Sequence, residues 1–424
     1  MDNRTDNQII KLRGGRRLCG QVPISGAKNA VLPLMAAALL SSGECIINNT
    51  PLLDDVLVML SVFKELSVKA ELRDNTLRLD CRHVRPAMIK PEVLGRLRAS
   101  NLILGPLLGR FKEVEIGACG GCTIGKRPLN LHFAALSALG ARVLPLEDGY
   151  FAFARRLTGT RLRLDFPSVG ATENLLMAAA LADGETVLEN AAAEPEIVEL
   201  AAFINSMGGK IRGAGTPIVA IEGVKSLGST EYTVMPDRIE TGTFLLAGAL
   251  CGTELYLQGA RAAESAALLA VMGQMGANVR ADKGGLWLKN PGRPAPVAVA
   301  TKPYPGFPTD MQPQLCAVLC YANGRSVITE NIFESRFAYI NELKKMGASI
   351  QIKDNCAIIE GKPCLNGAQT AAADLRAGAA LVLAALAAEG ESCVGGVEYI
   401  NRGYENFTAK LAALGADIRL AICD

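Results

Sequence analysis

At 424 residues, half of them hydrophobic and a fifth charged, the chain is too long for one ordinary domain and rich enough in apolar residues for two or three sizeable cores. The 44 Lys and Arg nearly balance the 42 Asp and Glu, and the basic residues are scattered, which gives no basis for a nucleic-acid or anionic-membrane partner. The longest wholly apolar stretches, such as AGAALVLAALAA at 377–388, fall well short of the about 20 residues that a bilayer span needs.

The start, MDNRTDNQII, lacks the layout of a signal peptide, so a soluble, cytoplasmic protein with reduced cysteines is expected. Two histidines, His83 and His132, argue against zinc sites built on imidazole.

Taken in chain order, the predicted elements repeat. An apolar helix runs into a glycine and then a strand six times: AALLSSGECII, GPLLGRFKEVEI, AAALADGETVLE, AGALCGTELYL, LCYANGRSVIT and LAALAAEGESCVG. The glycines are Gly43, Gly109, Gly184, Gly252, Gly324 and Gly390. A second helix ends six times in a bulky residue and a glycine, as in SALGARV, NSMGGKI, GQMGANV, KKMGASI and AALGADI, with KELSVKA as a degenerate first copy. The bulky residues are Leu66, Leu139, Met207, Met275, Met346 and Leu414, separated by 73, 68, 68, 71 and 68 residues. Two series with one beat establish six repeats of about 70 residues. The first helix of each is apolar on nearly every side and should be wholly buried, whereas the second has a charged face and should lie nearer water. Six such units suggest two pseudo-threefold lobes, and a cleft between lobes is a natural place for a site.

Polar residues collect at the starts of the buried helices, in SGAKNA, RLRASN, SVGATEN, PDRIETG, FPTDMQ and ADLRAG. A helix N-terminus offers unpaired N–H groups and partial positive charge. Thr309, Asp310 and Asp374 are ordinary capping types, and capping accounts for the acids taken alone. Lys28, Arg98 and Arg376 oppose the dipole and fit better as ligands of a substrate with several negative charges. The loops after the strands add Cys122, Lys126 and Arg127, then Arg336 and Arg402. Arginine suits bidentate recognition of carboxylate and phosphate, although any one of these alone reads as a surface ion pair.

The stretch CGGCTIGKRP at 119–128 lacks the two further ligands of a zinc knuckle and the βαβ setting of a redox pair. It leaves either a reactive Cys122, its pKa lowered by Lys126 and Arg127, or an inert thiol.

Along the whole chain the series ISGAKNAVLPLMAAALL, LRASNLILGPLLGR, GGCTIGKRPLNLH, PSVGATEN, AAAEPEIVELA, PDRIETGTF, FPTDMQPQ, FESRF and INRGYENFTAKLAALGA, in that order, resembles the UDP-N-acetylglucosamine enolpyruvyl transferases of the EPSP synthase superfamily. The resemblance implies a two-domain inside-out α/β barrel with buried helices and outer sheets. Lobe I would comprise 1–27 and 236–424, and lobe II 28–235 with a cysteine loop at about 117–128. It implies transfer of the enolpyruvyl group of phosphoenolpyruvate to the 3′-hydroxyl of UDP-N-acetylglucosamine through a tetrahedral ketal, with phosphate released and no cofactor or metal.

Carried over by matching position, Cys122 is the cysteine that adds to phosphoenolpyruvate and donates the proton, and Asp310 is the acid near the sugar hydroxyl. Lys28, Asn29, Arg127 and Arg402 surround phosphoenolpyruvate. Arg98, Arg127, Pro128, Leu129, Asn130, Leu131, Ser168, Val169, Gly170, Asp310 and Ile332 contact the nucleotide sugar. Arg336, Asp374, Leu375 and Arg376 support the site. Phe166, Asn401, Asn130 and Cys119 depart from the pattern of some members, which bears on nucleotide affinity and on loop behaviour, including a Cys119–Cys122 disulfide. EPSP synthase itself shares the fold but has no cysteine loop. An idle paralogue that only binds the nucleotide sugar would not need Lys28, Cys122, Asp310 and Arg402 together.

Overall fold

The computed structural model describes residues 8–85, 98–117, 129–290 and 292–422. Six apolar helices recur along the chain: Lys28–Ala38, Leu104–Phe111, Val169–Ala179, Arg238–Cys251, Gln312–Leu319 and Leu375–Ala387. In each, most side chains are buried, as expected for helices rich in Ala and Leu without a polar face. A second helix of each repeat is Asp54–Glu65, Asn130–Ala138, Pro195–Ser206, Ala266–Gln274, Ile340–Lys345 or Phe407–Ala413. These bury only one stripe.

All six second helices end alike. Their C-caps are Leu66, Leu139, Met207, Met275, Met346 and Leu414. The next residue is left-handed every time, with φ of 61° at Ser67, 100° at Gly140, 101° at Gly208, 90° at Gly276, 88° at Gly347 and 100° at Gly415. Glycine adopts this conformation without a Cβ penalty, which is why the sequence beat is marked by it. Ser67 adopts it as well, so the degenerate first copy is structurally a full one.

The other glycine series is less uniform. Gly109 does not end its helix; the chain continues to Phe111 and turns at Lys112, with φ of 66°. A Cβ on Gly109 would lie 3.3 Å from the Cα of Ala178, so the glycine is there for close approach of the neighbouring helix Val169–Ala179.

Among the described residues there are six sheets. Five share one plan, in which an inner strand has a parallel neighbour on one side and an antiparallel pair of strands on the other, and in four of them that pair is a hairpin. In one example, Arg325–Thr329 pairs in parallel with Ala298–Ala300 and antiparallel with Cys356–Glu360, which pairs with Ser349–Lys353. Three sheets are closed by strands distant in sequence. Leu18–Pro23 pairs in parallel with Gly252–Gln258. Thr230–Thr233 pairs in parallel with Glu44–Asn48. Gln8–Arg13 lies between Glu391–Gly395 and Asp417–Ile422, antiparallel to both.

The described residues divide into two compact units, one ending at Ser25 and resuming at Pro236, the other spanning Gly26 to Met235. Each has its own hydrophobic core. In the first, Arg238–Cys251, Gln312–Leu319 and Leu375–Ala387 pack on one another. In the second, Leu104–Phe111 packs on Val169–Ala179, and Lys28–Ala38 on Pro195–Ser206. No helix among the described residues is long and apolar enough to cross a membrane.

Candidate active site

In the unit that holds the chain ends, the polar residues at the helix starts sort into two kinds. Asp237 and Asp374 are caps. Asp237 Oδ1 accepts from the backbone N–H of Ile239 (2.7 Å) and Glu240 (3.0 Å), and Asp374 Oδ1 from Arg376 (2.8 Å) and Ala377 (3.0 Å). Thr309 is not a cap, because its hydroxyl donates to Glu330 Oε2 at 2.9 Å. Nor is Asp310, which lies in the 3-10 turn Thr309–Met311.

Asp310 is gripped from two sides. Arg336 Nη2 donates to Oδ1 at 3.1 Å, and Arg376 donates to Oδ2 through Nε (3.2 Å) and Nη2 (3.0 Å). Both guanidinium groups are buried, yet 28% of the Asp310 side chain stays exposed. Burial opposes the charge on Arg376, but Asp310, Tyr404 and Asp237 outweigh it and hold its pKa above the ordinary value. The result is a carboxylate with fixed orientation and an open face, able to accept a proton from a hydroxyl.

Glu330 fixes the loops around it. Its Oε1 accepts from Thr301 Oγ1 (2.9 Å) and from the N–H of Ile332 (2.7 Å) and Phe333 (3.2 Å). That places half-buried Ile332 beside the Thr309–Met311 turn. Leu375, at the start of its helix, is also half-buried. Arg402 caps the C-terminal end of Val397–Asn401. The following Gly403 lies so close to this helix start that a Cβ on it would come within 2.3 Å of Leu375 Cδ1. The structure thus gathers Asp310, Arg336, Asp374, Leu375, Arg376 and the segment after Arg402.

In the other unit, Lys28 is the first residue of its buried helix, and no side chain caps that start. Its ammonium contacts Asp55 Oδ2 at 2.6 Å, with side-chain exposures of 10% and 3%. Asp55 comes from the first turn of the next helix, Asp54–Glu65, so an acid that reads as a helix-start preference in sequence is the counter-charge of Lys28. Asn29 beside it is half-buried.

Ser168 caps Val169–Ala179, its hydroxyl accepting from the Ala171 N–H at 3.4 Å, and this leaves Val169 and Gly170 half-buried at the helix start. A Cβ on Gly170 would lie 3.0 Å from His132 Cε1. Buried Asn174 ties these parts together. Its Oδ1 accepts from the Gly105 N–H at 2.6 Å, and its Nδ2 lies 3.0 Å from His132 Nδ1. Burial pushes the His132 pKa down to about 4, so the ring is neutral at pH 7 and its Nδ1 is free to accept from the amide.

Leu129 caps the helix Asn130–Ala138, Asn130 is exposed at its first position, and Leu131 packs on the core. Arg98 opens the 3-10 turn Arg98–Ile103. Cys119, Cys122, Lys126, Arg127 and Pro128 lie outside the described residues.

Sequence reasoning passed over Asp55, Glu330 and a buried charge cluster in the first unit. There Lys410 Nζ contacts Glu240 Oε1 (2.6 Å) and Ser25 Oγ (2.7 Å), and burial pushes the Glu240 carboxyl up to about 7. Asp55 and Glu330 lie outside the repeated motifs, and Glu240, although within PDRIETG, is like them recognisable only once its distant partner is in place. Among the described residues no group of three or more His, Cys, Asp or Glu is placed to hold a metal ion.

The family model described as EPSP synthase (3-phosphoshikimate 1-carboxyvinyltransferase) matches residues 12–411. The chain belongs to the EPSP synthase family. Within the EPSP synthase family, a relative called UDP-N-acetylglucosamine 1-carboxyvinyltransferase 1, from Symbiobacterium thermophilum, is 46% identical over 419 residues, which cover 97% of this chain and 95% of the relative. The protein of the same name from Caldanaerobacter subterraneus subsp. tengcongensis is 47% identical over 402 residues, covering 95% and 96%. Among solved structures, the enolpyruvyl transferase NikO from Streptomyces tendae matches with a TM-score of 0.89 at 26% identity, over 98% of this chain and 99% of that one. The fold expected from the six repeats, mixed α/β with buried helices and outer sheets, is the fold of this family.

Proposed function

We propose that this member of the EPSP synthase family transfers the enolpyruvyl group of phosphoenolpyruvate to the 3′-hydroxyl of UDP-N-acetylglucosamine, releasing phosphate, as a cytoplasmic step of peptidoglycan synthesis. The observation that carries the reading is the near full-length similarity to relatives bearing the name of that reaction, at 46% and 47% identity. The geometry of each unit supports it.

Addition of a hydroxyl to C2 of phosphoenolpyruvate, an enol phosphate, needs a base at the hydroxyl, an acid at the methylene carbon, and cations for the carboxylate and for the phosphate that then leaves. Asp310 is assigned as the base: it is partly exposed, and two buried arginines fix its orientation. Cys122 is assigned as the acid and as the thiol that adds to phosphoenolpyruvate. Lys28, Arg127 and Arg402, with Asn29, are assigned to the phosphoenolpyruvate anion. The half-buried helix start at Ser168, Val169 and Gly170 offers backbone N–H groups to the diphosphate. Arg98, the run from Arg127 to Leu131, and Ile332 are assigned to the nucleotide.

The same assignment makes Cys122 the target of fosfomycin, an alkylating epoxide, and a mass spectrum of its peptide reads the adduct directly. The defining test is phosphate release from phosphoenolpyruvate with UDP-N-acetylglucosamine or shikimate 3-phosphate as acceptor. Release with the nucleotide sugar alone, abolished in Cys122→Ala, is expected. Release with shikimate 3-phosphate would move the assignment to the sister reaction. Tight binding of UDP-N-acetylglucosamine with no release would mark an idle paralogue.

A further inference from the structure

Behind Asp310, three buried helices of one unit share a polar network. Tyr404 is buried, and its hydroxyl lies 3.0 Å from Thr243 Oγ1 and accepts from Gln314 Nε2 at 3.0 Å. Thr243 Oγ1 donates to the Ile239 carbonyl at 2.8 Å. With the threonine proton committed to that carbonyl, the Tyr404 hydroxyl must donate to Thr243. The phenol is therefore fixed in position and in proton direction by the helices Arg238–Cys251 and Gln312–Leu319. The Arg376 guanidinium lies over the ring of Tyr404, 5.4 Å from its centroid, and reaches Asp310 Oδ2 from its other side. Arg376 Nη1 is buried and has no hydrogen-bond partner among the described residues.

A side chain held at one end by a carboxylate and along its flank by an aromatic face depends on that face staying put. A network this deep, with Thr243 and Gln314 both fully buried and Gln314 Oε1 without a hydrogen-bond partner among the described residues, is costly, and simple core packing does not require it. We infer that Tyr404, anchored by Thr243 and Gln314, is a positioning residue that sets the angle of Arg376 and through it the orientation of the Asp310 carboxylate.

The inference rests on the assignment of Asp310 as the base, and its test separates the two. Tyr404→Phe keeps the ring and removes the anchoring hydroxyl, and Thr243→Val removes the anchor from the other side with little change of shape. The Arg376 Nε–H signal, assigned by its loss in Arg376→Lys, reports guanidinium rotation by 15N NMR. Both variants are expected to speed that rotation. They should also lower kcat about tenfold while KM for both substrates stays within about twofold, and the two changes combined should lose no more than either alone. An Arg376 signal and a kcat unchanged in both variants overturn the inference. So does a loss of activity that tracks folded fraction while the signal stays as in the wild type. A changed signal in a protein that does not turn over phosphoenolpyruvate upholds the positioning role and removes the proposed function instead.

Discussion

Replacing Glu173 by glutamine should remove the pH dependence of one part of the molecule's stability. Glu173 is buried near the start of Val169–Ala179, and its carboxyl is pushed from 4.5 up to about 8, by burial first and then by Glu196 and Glu194. A carboxyl whose folded pKa is raised contributes its full stability below the unfolded pKa and loses it as pH climbs through the folded value. At about 1.4 kcal/mol per unit, the interval from 4.5 to about 8 corresponds to about 3 kcal/mol lost between pH 4.5 and 7, and nearly 5 kcal/mol by pH 9. Glutamine keeps the shape and carries no charge, so its contribution is flat. At about 2–4 °C per kcal/mol, the variant should melt about 6–12 °C above the wild type at pH 7 and level with it, or slightly below, at pH 4.5. Scanning calorimetry of both proteins from pH 4.5 to 9 measures the difference, in which other titrating groups cancel. A difference that stays flat with pH would refute the reasoning and show that Glu173 folds as an ordinary carboxylate. A neutral Glu173 also keeps negative charge away from the helix start assigned to the diphosphate.

Ser67→Gly should stabilise the protein by about 0.5–1 kcal/mol, because the left-handed backbone at φ of 61° costs serine more than glycine; a lower midpoint in urea would show that the serine side chain contributes more than its backbone costs. Asp55→Asn should cost about 3–5 kcal/mol and most of the activity by removing the Asp55 charge from beside the buried Lys28 ammonium, and wild-type stability and turnover in that variant would contradict the pairing.

The repeat was legible because its marks are local. A helix that must stop and reverse needs a left-handed residue, and glycine supplies it in five copies of six, so the sequence carries the beat without any tertiary information. Burial of the first helices was equally plain, since residues such as those of 377–388 have no polar face to offer water. The candidate site was legible as a set of charges in unusual places but not as a set of pairs. Lys28 and Arg376 stood out because a cation at a helix start opposes the dipole, yet nothing local named Asp55 or Asp310 as their partners. Asp310 and Asp374 look alike in sequence; one grips arginines and the other caps a helix, and only the distances distinguish them. Gln314, in an apolar helix, and Tyr404, in the loop between Val397–Asn401 and Phe407–Ala413, gave no signal, because buried polar residues acquire meaning only from the helices packed against them. Gly109 misled for a related reason, its role being set by a neighbouring helix rather than by its own.

The strand Gln8–Arg13, held between Glu391–Gly395 and Asp417–Ile422, makes the order of synthesis matter. The unit from Gly26 to Met235 is drawn from one continuous stretch, so its core can form while the remainder is still being translated. The other unit must wait, its first strands already emerged and exposed, until residues beyond 416 leave the ribosome. During that interval the waiting strand Gln8–Arg13 has both edges open, and the unit that carries Asp310 and Arg376 is the one whose assembly the cell has to protect.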